Sequence, residues 1–141
     1  MRPYQHKVQY YETDRMGITH HSNYIRWMEE ARVDFLEQLG WGYDRLEALG
    51  VGSPVLGVAC SYKQPTTFHD TVEVTVCLKE YRGARMTIGY EMRDAAGGGL
   101  VCTGSSQHCF VNGAGLPARL RRDLPQFDAL LRALAAEKAG S

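Results

Sequence analysis

The residues best suited to chemistry lie between Tyr10 and Tyr24, where a single aspartate, Asp14, precedes the predicted start of a helix near His21. The first backbone N–H groups of a helix have no partner within the helix, and they lie at the positive end of its dipole. Such groups can hold a carbonyl oxygen as it becomes an oxyanion, while a carboxylate supplies the nucleophile or the base. The arrangement therefore suits acyl-transfer chemistry if the fold brings the two groups together, although spacing alone favours a structural role for Asp14.

Each of these residues also has a simpler structural interpretation. Asp14 is of a type that commonly caps a turn or a helix, and His21 can be an exposed loop histidine or a general base. Ser22 suggests a serine hydrolase, but the sequence has no Gly-x-Ser-x-Gly elbow. We therefore expect Ser22 or Asn23 to be the N-cap of the helix.

Length and composition set the class of protein. The chain has 141 residues and is 44% hydrophobic, which suits one domain over residues 1–141. Sixteen basic and sixteen acidic side chains cancel, so no global charge favours nucleic acid or an anionic membrane. The N-terminus lacks the apolar core of a signal peptide, and no apolar run approaches the ~18 residues of a membrane span. We expect a soluble, cytoplasmic protein.

The four cysteines, Cys60, Cys77, Cys102 and Cys109, are widely spaced and form no Cys-x-x-Cys pair. This spacing argues against a zinc site, and we expect no metal. It is typical of reduced, half-buried thiols in a cytosolic protein.

Hydrophobic periodicity predicts two kinds of element in the first half of the chain. Weak alternation over residues 4–10 predicts a short strand, and a helix follows from about Ser22 to Gly40. A shorter helix is predicted over residues 43–49. The long helix has one apolar face that only Arg32 interrupts: Ile25, Met28, Phe35, Leu36 and Leu39.

Strict alternation dominates the second half. It predicts strands over residues 71–79, 85–93 and 100–111, and another strand follows Pro54. Pro125 opens a last predicted helix. One strand, a long helix and then four strands in succession predict an α+β domain, in which an antiparallel sheet packs over a central helix.

The motifs resemble those of the hotdog-fold acyl-CoA thioesterases, specifically the 4-hydroxybenzoyl-CoA thioesterase family. The resemblance rests on Asp-x-x-Gly at residues 14–17, on His-x-Asn-Tyr at 21–24 and on Trp27, Glu30, Ala31 and Arg32 in the helix. It continues through Gly50, Pro54, Tyr62, Pro65, Asp70, the stretch 77–82 and the stretch 115–119. It implies a five-stranded sheet wrapped around the long helix, with a C-terminal helix.

The resemblance also implies roles for individual residues. Asp14 matches the carboxylate that attacks the thioester carbonyl or activates water, at a dimer interface. His21 matches the helix-opening residue whose backbone N–H polarises that carbonyl, and Tyr10 matches a tyrosine that shapes the site. Arg82 matches a basic position that meets CoA phosphates. The other implied substrate-binding residues are Gly17, Asn23, Tyr24, Pro54 and Arg85.

The chain departs from the family pattern next to the site. Glu12 stands where Asp is frequent, and Thr19 and His20 replace a frequent Val-Tyr or Val-Phe pair, next to the acyl pocket. Gly83 and Ala84 separate Arg82 from Arg85.

The resemblance therefore predicts hydrolysis of a small or medium acyl-CoA or aryl-CoA by a homodimer or homotetramer. CoA enters as part of the substrate, and no separate cofactor is expected. Two other functions are open: a hotdog dehydratase acting on hydroxyacyl thioesters, and a non-catalytic acyl-CoA-binding protein.

Overall fold

The computed structural model describes residues 1–140, with side chains described as far as Glu137. Its sheet has five antiparallel strands in the order β1-β3-β4-β5-β2. This arrangement confirms the predicted antiparallel sheet. The strands are β1 (Tyr4–Lys7), β2 (Val55–Tyr62), β3 (Thr71–Tyr81), β4 (Arg85–Asp94) and β5 (Leu100–Cys109).

Four helices accompany the sheet. The long helix α1 packs against β1, β2 and β3, and the C-terminal helix α4 packs against β3. Both predicted long helices are therefore confirmed. The helices are α1 (Ser22–Gln38), α2 (Tyr43–Ala48), α3 (Leu120–Asp123) and α4 (Pro125–Gly140). None of the helices in the described part of the chain is long and apolar enough to cross a membrane.

The buried face of α1 is wider than predicted and also includes Asn23, Tyr24, Trp27 and Ala31. Two residues of the predicted pattern behave differently from expectation. Ile25 keeps 43% of its surface exposed. Arg32 is buried, and its Nε donates a hydrogen bond of 2.8 Å to the hydroxyl of Tyr43. The cation that interrupts the apolar pattern is thus part of the packed interface, since a buried charge is tolerated where it is hydrogen-bonded.

Gly104 of β5 lies against Met28 of α1. A Cβ at this position would lie 3.1 Å from Sδ of Met28 and 3.0 Å from the carbonyl oxygen of Ala59. Any side chain here would therefore crowd both neighbours, so the close packing at this point favours glycine.

The N-terminal strand is shorter than predicted. It ends at Lys7, and residues Tyr10–Glu12 form a turn of 3-10 helix instead of continuing the strand. The Glu12 carboxylate stabilises this turn by accepting a hydrogen bond of 2.8 Å from the backbone N–H of Gln9. After Lys7, a local hydrogen bond from the backbone to a side chain therefore takes the place of strand-to-strand hydrogen bonds.

Strand β2 lies at one edge of the sheet, and among the described residues it pairs only with β5. Its other edge faces no strand of residues 1–140, and Val55, Leu56 and Val58 expose 47%, 49% and 42% of their surfaces. An exposed apolar edge of this kind favours pairing with another strand.

Candidate active site

Asp14 lies in a tight loop between the 3-10 turn and α1. Its backbone N–H donates to the carbonyl of Ile18 at 2.8 Å, and its Oδ1 accepts from the N–H of Met16 at 2.8 Å. Oδ2 has no hydrogen-bond partner among the described residues. Asp14 thus caps a turn, as its simpler interpretation suggests, and still presents one free carboxylate oxygen.

Gly17 makes this loop possible. Its φ of +80° lies in the left-handed region that glycine adopts without cost. Its N–H donates to the carbonyl of Asp14, and its own carbonyl accepts from Oγ1 of Thr67 at 2.7 Å. Gly17 therefore shapes the loop that carries the carboxylate.

Glu12 anchors the start of the loop to the core. Its side chain is 4% exposed, and its two oxygens accept hydrogen bonds of 2.8 Å from Nε2 of His6 and 2.7 Å from Nε1 of Trp27. Burial raises the pKa of Glu12, but the hydrogen bonds from His6, Gln9 and Trp27 outweigh burial and hold the pKa below its ordinary value. The carboxylate is therefore ionised in the core.

The backbone of Glu12 holds the other end of the loop. Its carbonyl accepts from the N–H of His20 at 2.8 Å and from Nδ2 of Asn23 at 3.0 Å. The Asn23 amide also donates to the carbonyl of His20 at 3.2 Å. Asn23 is buried, so its side chain ties the loop to α1.

The start of α1 differs from the predicted capping. His21 occupies the N-cap position, and Ser22 and Asn23 are already helical, so the prediction of either as the N-cap is wrong. A free N–H of the first turn is instead satisfied by the His20 ring, whose Nδ1 accepts a hydrogen bond of 3.2 Å from the backbone N–H of Ser22. The N–H of His21 has no acceptor among the described residues, and it is therefore free to bind a substrate oxygen.

A cavity of about 310 Å³ opens beside this helix start. Tyr24 forms part of its wall, with its ring 5.3 Å from that of Tyr62 and its hydroxyl 3.0 Å from Oγ1 of Thr66. The lining residues are Ile18, Thr19, His21, Tyr24, Tyr62, Lys63, Gln64 and Pro65. Its wall is mainly aromatic and apolar, as in pockets that hold the apolar part of a small ligand.

Tyr10 lies at the surface beside the loop. It is 76% exposed, and its ring packs edge-on against Phe68 at 5.6 Å. Its carbonyl accepts from Oγ1 of Thr13 at 2.7 Å. Within one chain, Tyr10 supports the loop through its backbone and leaves its ring on an exposed aromatic patch.

Pro54, Arg82 and Arg85 lie far from Asp14. Arg82 and Arg85 line a second cavity, of about 250 Å³, together with Leu56 near the start of β2. Tyr62 is at the other end of this strand, and six residues of extended chain span about 20 Å. The structure thus gathers Asp14, Gly17, His21, Asn23 and Tyr24 at one end of β2 and places the two arginines at the other.

Cys102 is poorly suited to act as a nucleophile. All four cysteines are free thiols, with Cys102 buried and the others partly buried. Burial raises the pKa of Cys102 to about 12, so the thiol stays protonated and unreactive.

Two functional features of the site have no clear signal in the sequence. Glu12 is a charged residue in a loop, and its burial depends on His6 and Trp27. Lys63 and Gln64 follow β2 directly, and only the fold brings them beside α1. The family resemblance includes Tyr62 among its matching residues but assigns no role to it.

A sheet wrapped around one long helix, with a carboxylate loop packed on the start of that helix, defines a hotdog-fold domain of the thioesterase type. Residues 8–134 match the family model described as the thioesterase-like superfamily. The chain therefore belongs to this superfamily.

Three similar proteins illustrate the relationship. The DHNA-CoA thioesterase of Staphylococcus aureus superposes with a TM-score of 0.90 at 30% identity, covering 99% of this chain and 95% of that one. YneP of Bacillus subtilis, provisionally named an acyl-CoA thioesterase, is 35% identical over 86% of this chain and 88% of its own length. The 1,4-dihydroxy-2-naphthoyl-CoA hydrolase of Thermosynechococcus vestitus is 27% identical over 89% and 84%.

Proposed function

We propose that the protein hydrolyses the thioester of a small or medium acyl-CoA or aryl-CoA to the free acid and CoA. The observation that carries the proposal is the presence of two free groups on one anchored loop. Oδ2 of Asp14 and the N–H of His21 both lack partners among the described residues, and Glu12 and Asn23 hold the loop between them.

These two groups suffice for the chemistry. Oδ2 of Asp14 either attacks the carbonyl carbon or takes a proton from the attacking water. The developing oxyanion accepts from the N–H of His21, where the positive end of the α1 dipole adds to the stabilisation. The carbon–sulfur bond then breaks, and the thiolate leaves and takes up a proton to become CoA. In the direct route this step leaves an acyl–Asp14 anhydride, which water then hydrolyses to release the free acid and restore the Asp14 carboxylate. Thiolates are good leaving groups, so no full triad is required.

The cavity lining supports an apolar or aromatic acyl group. His21, Tyr24 and Tyr62 present aromatic surfaces to the cavity of about 310 Å³. Such surfaces favour flat or apolar groups. Tyr10, Gly17 and Asn23 act in this proposal by shaping the loop, and Tyr24 contacts the acyl group.

The exposed edge of β2 supports a homodimer. A second copy that pairs antiparallel along this edge, about a two-fold axis, covers Val55, Leu56 and Val58. It also brings the start of each β2 beside the end of the other. The partner subunit's Arg82 and the partner subunit's Arg85 then lie next to the Asp14 site and meet CoA phosphates, with Pro54 nearby. A homotetramer would add a second contact between such dimers.

A cytoplasmic location completes the proposal. Four free thiols are typical of a reducing compartment.

Release of CoA thiol from a panel of acyl-CoA and aryl-CoA thioesters tests the function. We expect wild type to release thiol and Asp14→Asn to lose at least 100-fold in kcat, comparable to loss of an oxyanion donor. Asp94→Asn is the matched control, because Asp94 caps a turn in the same way: its Oδ1 accepts from the N–H of Ala96 at 3.0 Å. Full activity in Asp14→Asn would refute the assignment.

Product analysis separates the other functions. An enoyl thioester without thiol release would identify a dehydratase, and tight acyl-CoA binding without turnover would identify a binding protein. Single turnover in ¹⁸O water tests direct attack: if water opens the acyl–Asp14 anhydride at the Asp14 carboxyl carbon, the acid keeps an unlabelled Asp14 oxygen and Asp14 gains the label, whereas general-base hydrolysis puts the label in the acid.

A further inference from the structure

The side chain of His20 turns back onto the first turn of α1. Its Nδ1 accepts the backbone N–H of Ser22 at 3.2 Å and lies 2.8 Å from Oγ of the same residue. A backbone N–H only donates, so Nδ1 must be the acceptor. The neutral ring therefore carries its proton on Nε2. The His20 side chain therefore accepts a free N–H of the first turn, which is ordinarily the role of an N-cap side chain.

The backbone of His20 is fixed as well. Its N–H donates to the carbonyl of Glu12 at 2.8 Å. The peptide groups before and after the one that carries the His21 N–H are thus both held, the first by Glu12 and the second by the His20 ring. The His21 ring stacks on that of His20 at a centroid distance of 4.3 Å, which restrains the same segment from the solvent side.

We propose that His20 is a positioning residue, which aims the free N–H of His21 at the thioester carbonyl; this inference rests on the proposed hydrolysis. Donors stabilise an oxyanion best when their direction is set before the reaction, because no energy is then spent on reorganising them. The peptide that carries the His21 N–H is also held through the His20 carbonyl, which accepts from the backbone N–H and the side-chain amide of Asn23 at 3.0 and 3.2 Å. Without the ring acceptor, the Ser22 N–H loses its partner, and the segment that sets the direction of the His21 N–H has one restraint fewer.

The same contacts allow a different role, in which the Ser22 hydroxyl donates to Nδ1 and acts as a nucleophile activated by His20. The two roles differ in what matters at residue 22. The nucleophile role needs the hydroxyl, whereas the positioning role needs only the backbone N–H.

Three variants separate these roles. His20→Phe keeps an aromatic ring against His21 and removes the acceptor. His20→Asn restores an acceptor, because an Asn side chain reaches the N–H two residues further on in an Asx turn. Ser22→Ala removes the hydroxyl and keeps the backbone bond.

We expect His20→Phe to lower kcat by about tenfold or more with KM within about twofold, as for a misplaced catalytic group. His20→Asn should recover kcat to within about threefold of wild type, and Ser22→Ala should stay within the same range. Wild-type kcat in His20→Phe, or no recovery in His20→Asn, would overturn the proposal. A loss in Ser22→Ala as large as that in Asp14→Asn would assign the hydroxyl as nucleophile instead.

Nuclear magnetic resonance tests the cap without reference to activity. Long-range ¹H–¹⁵N correlations should show the Nε2–H tautomer of His20, and the Ser22 amide should exchange more slowly in wild type and His20→Asn than in His20→Phe. If wild type released no CoA thiol, the proposed function would be wrong. The NMR measurements would still show whether the His20 ring accepts the Ser22 N–H. A protonated Nδ1 in the neutral ring would refute the cap whatever the kinetics show.

Discussion

The indole Nε1 of Trp27 donates a hydrogen bond of 2.7 Å to Oε2 of Glu12, and both residues are buried. Trp27 belongs to α1, and Glu12 begins the loop that carries Asp14. The contact therefore joins the helix that supplies the free N–H to the segment that supplies the carboxylate. His6 completes the cluster: its ring packs against that of Trp27 at a tilt, with a centroid distance of 4.7 Å, while its Nε2 contacts Glu12.

Replacing Glu12 by Gln should destabilise the protein at neutral pH. The amide accepts at only one of its two terminal atoms, so the Trp27 indole or the His6 ring loses its acceptor. Leaving a buried donor unpaired costs about 1–3 kcal/mol. Urea denaturation at pH 7 measures the change, with exposed Glu29→Gln as the control. An unchanged free energy of unfolding would show that the cluster does not stabilise the fold.

The contribution of Glu12 should also depend on pH. Its folded pKa lies below the ordinary value of 4.5, so the stabilisation is complete above that value and is lost as the pH falls through the folded pKa. The difference in free energy of unfolding between wild type and Glu12→Gln should be constant down to about pH 5 and then shrink. A difference that persists unchanged at pH 3 would contradict this origin.

His108 should make the protein less stable in mild acid. The side chain is fully buried, and burial, helped by the charge of Arg32, lowers its pKa from 6.5 to about 4. The unfolded chain binds a proton at higher pH than the folded one, so stability is complete above pH 6.5 and falls by about 3 kcal/mol down to pH 4. Denaturation curves across this range measure the loss.

His108→Gln should flatten this pH dependence, since it removes the titrating ring and keeps a polar group for Ser106, whose Oγ lies 2.6 Å from Nε2 of His108. Exposed His69→Asn is the control, because Asn tolerates the φ of +80° at this position. The control should keep the wild-type slope. If the free energy of unfolding of His108→Gln changed with pH as steeply as that of wild type, another group would be the cause of the acid sensitivity.

Mixing two inactive variants should restore activity if each site draws on both subunits. Asp14→Asn lacks the carboxylate, and the double variant Arg82→Ala, Arg85→Ala lacks the cations. A heterodimer then has one intact site out of two, so random exchange of subunits should give about a quarter of wild-type activity. Activity no higher than that of the separate variants would show that the arginines serve their own subunit's site or none.

Tyr81 should link the C-terminal helix to CoA binding. Its hydroxyl donates to Oδ1 of buried Asp128 at 2.5 Å, and Arg132 holds the other carboxylate oxygen at 2.9 Å. Tyr81→Phe should cost about 1–2 kcal/mol of stability. It should also loosen the adjacent Arg82–Arg85 hairpin, and so raise KM for a CoA thioester more than for the corresponding pantetheine thioester. Exposed Tyr11→Phe is the control, and equal changes in both KM values would contradict the link.

The elements with strong periodicity were predictable from sequence. Strand β3 alternates Val72, Val74 and Leu78 toward the core, and all three are buried, because a half-buried strand needs this pattern to pack. The helix that carries Trp27 follows the same logic at helical spacing. Arg32 was misjudged as an interruption, since its partner Tyr43 lies in another helix and only the packed structure brings the two together.

The site was predictable only in part. Asp14 and His21 stand at spacing that the family resemblance identifies, and the structure shows a free oxygen on one and a free N–H on the other. The N-cap was mispredicted because propensity favours Ser and Asn at that position, whereas the acceptor here is an imidazole two residues ahead of the amide it binds. Such a contact depends on the path of the loop, which Glu12 fixes through contacts with β1 and α1.

The double attachment of the Asp14 loop, by the side chain and the carbonyl of Glu12, determines how the site moves. The loop cannot swing open as a lid without breaking hydrogen bonds to Trp27, His6 and Asn23 in the core. Its amides at Thr19 and His20, which donate to Thr66 and Glu12, should therefore exchange with solvent only when the whole domain unfolds. The proposed site should therefore be formed before any substrate binds.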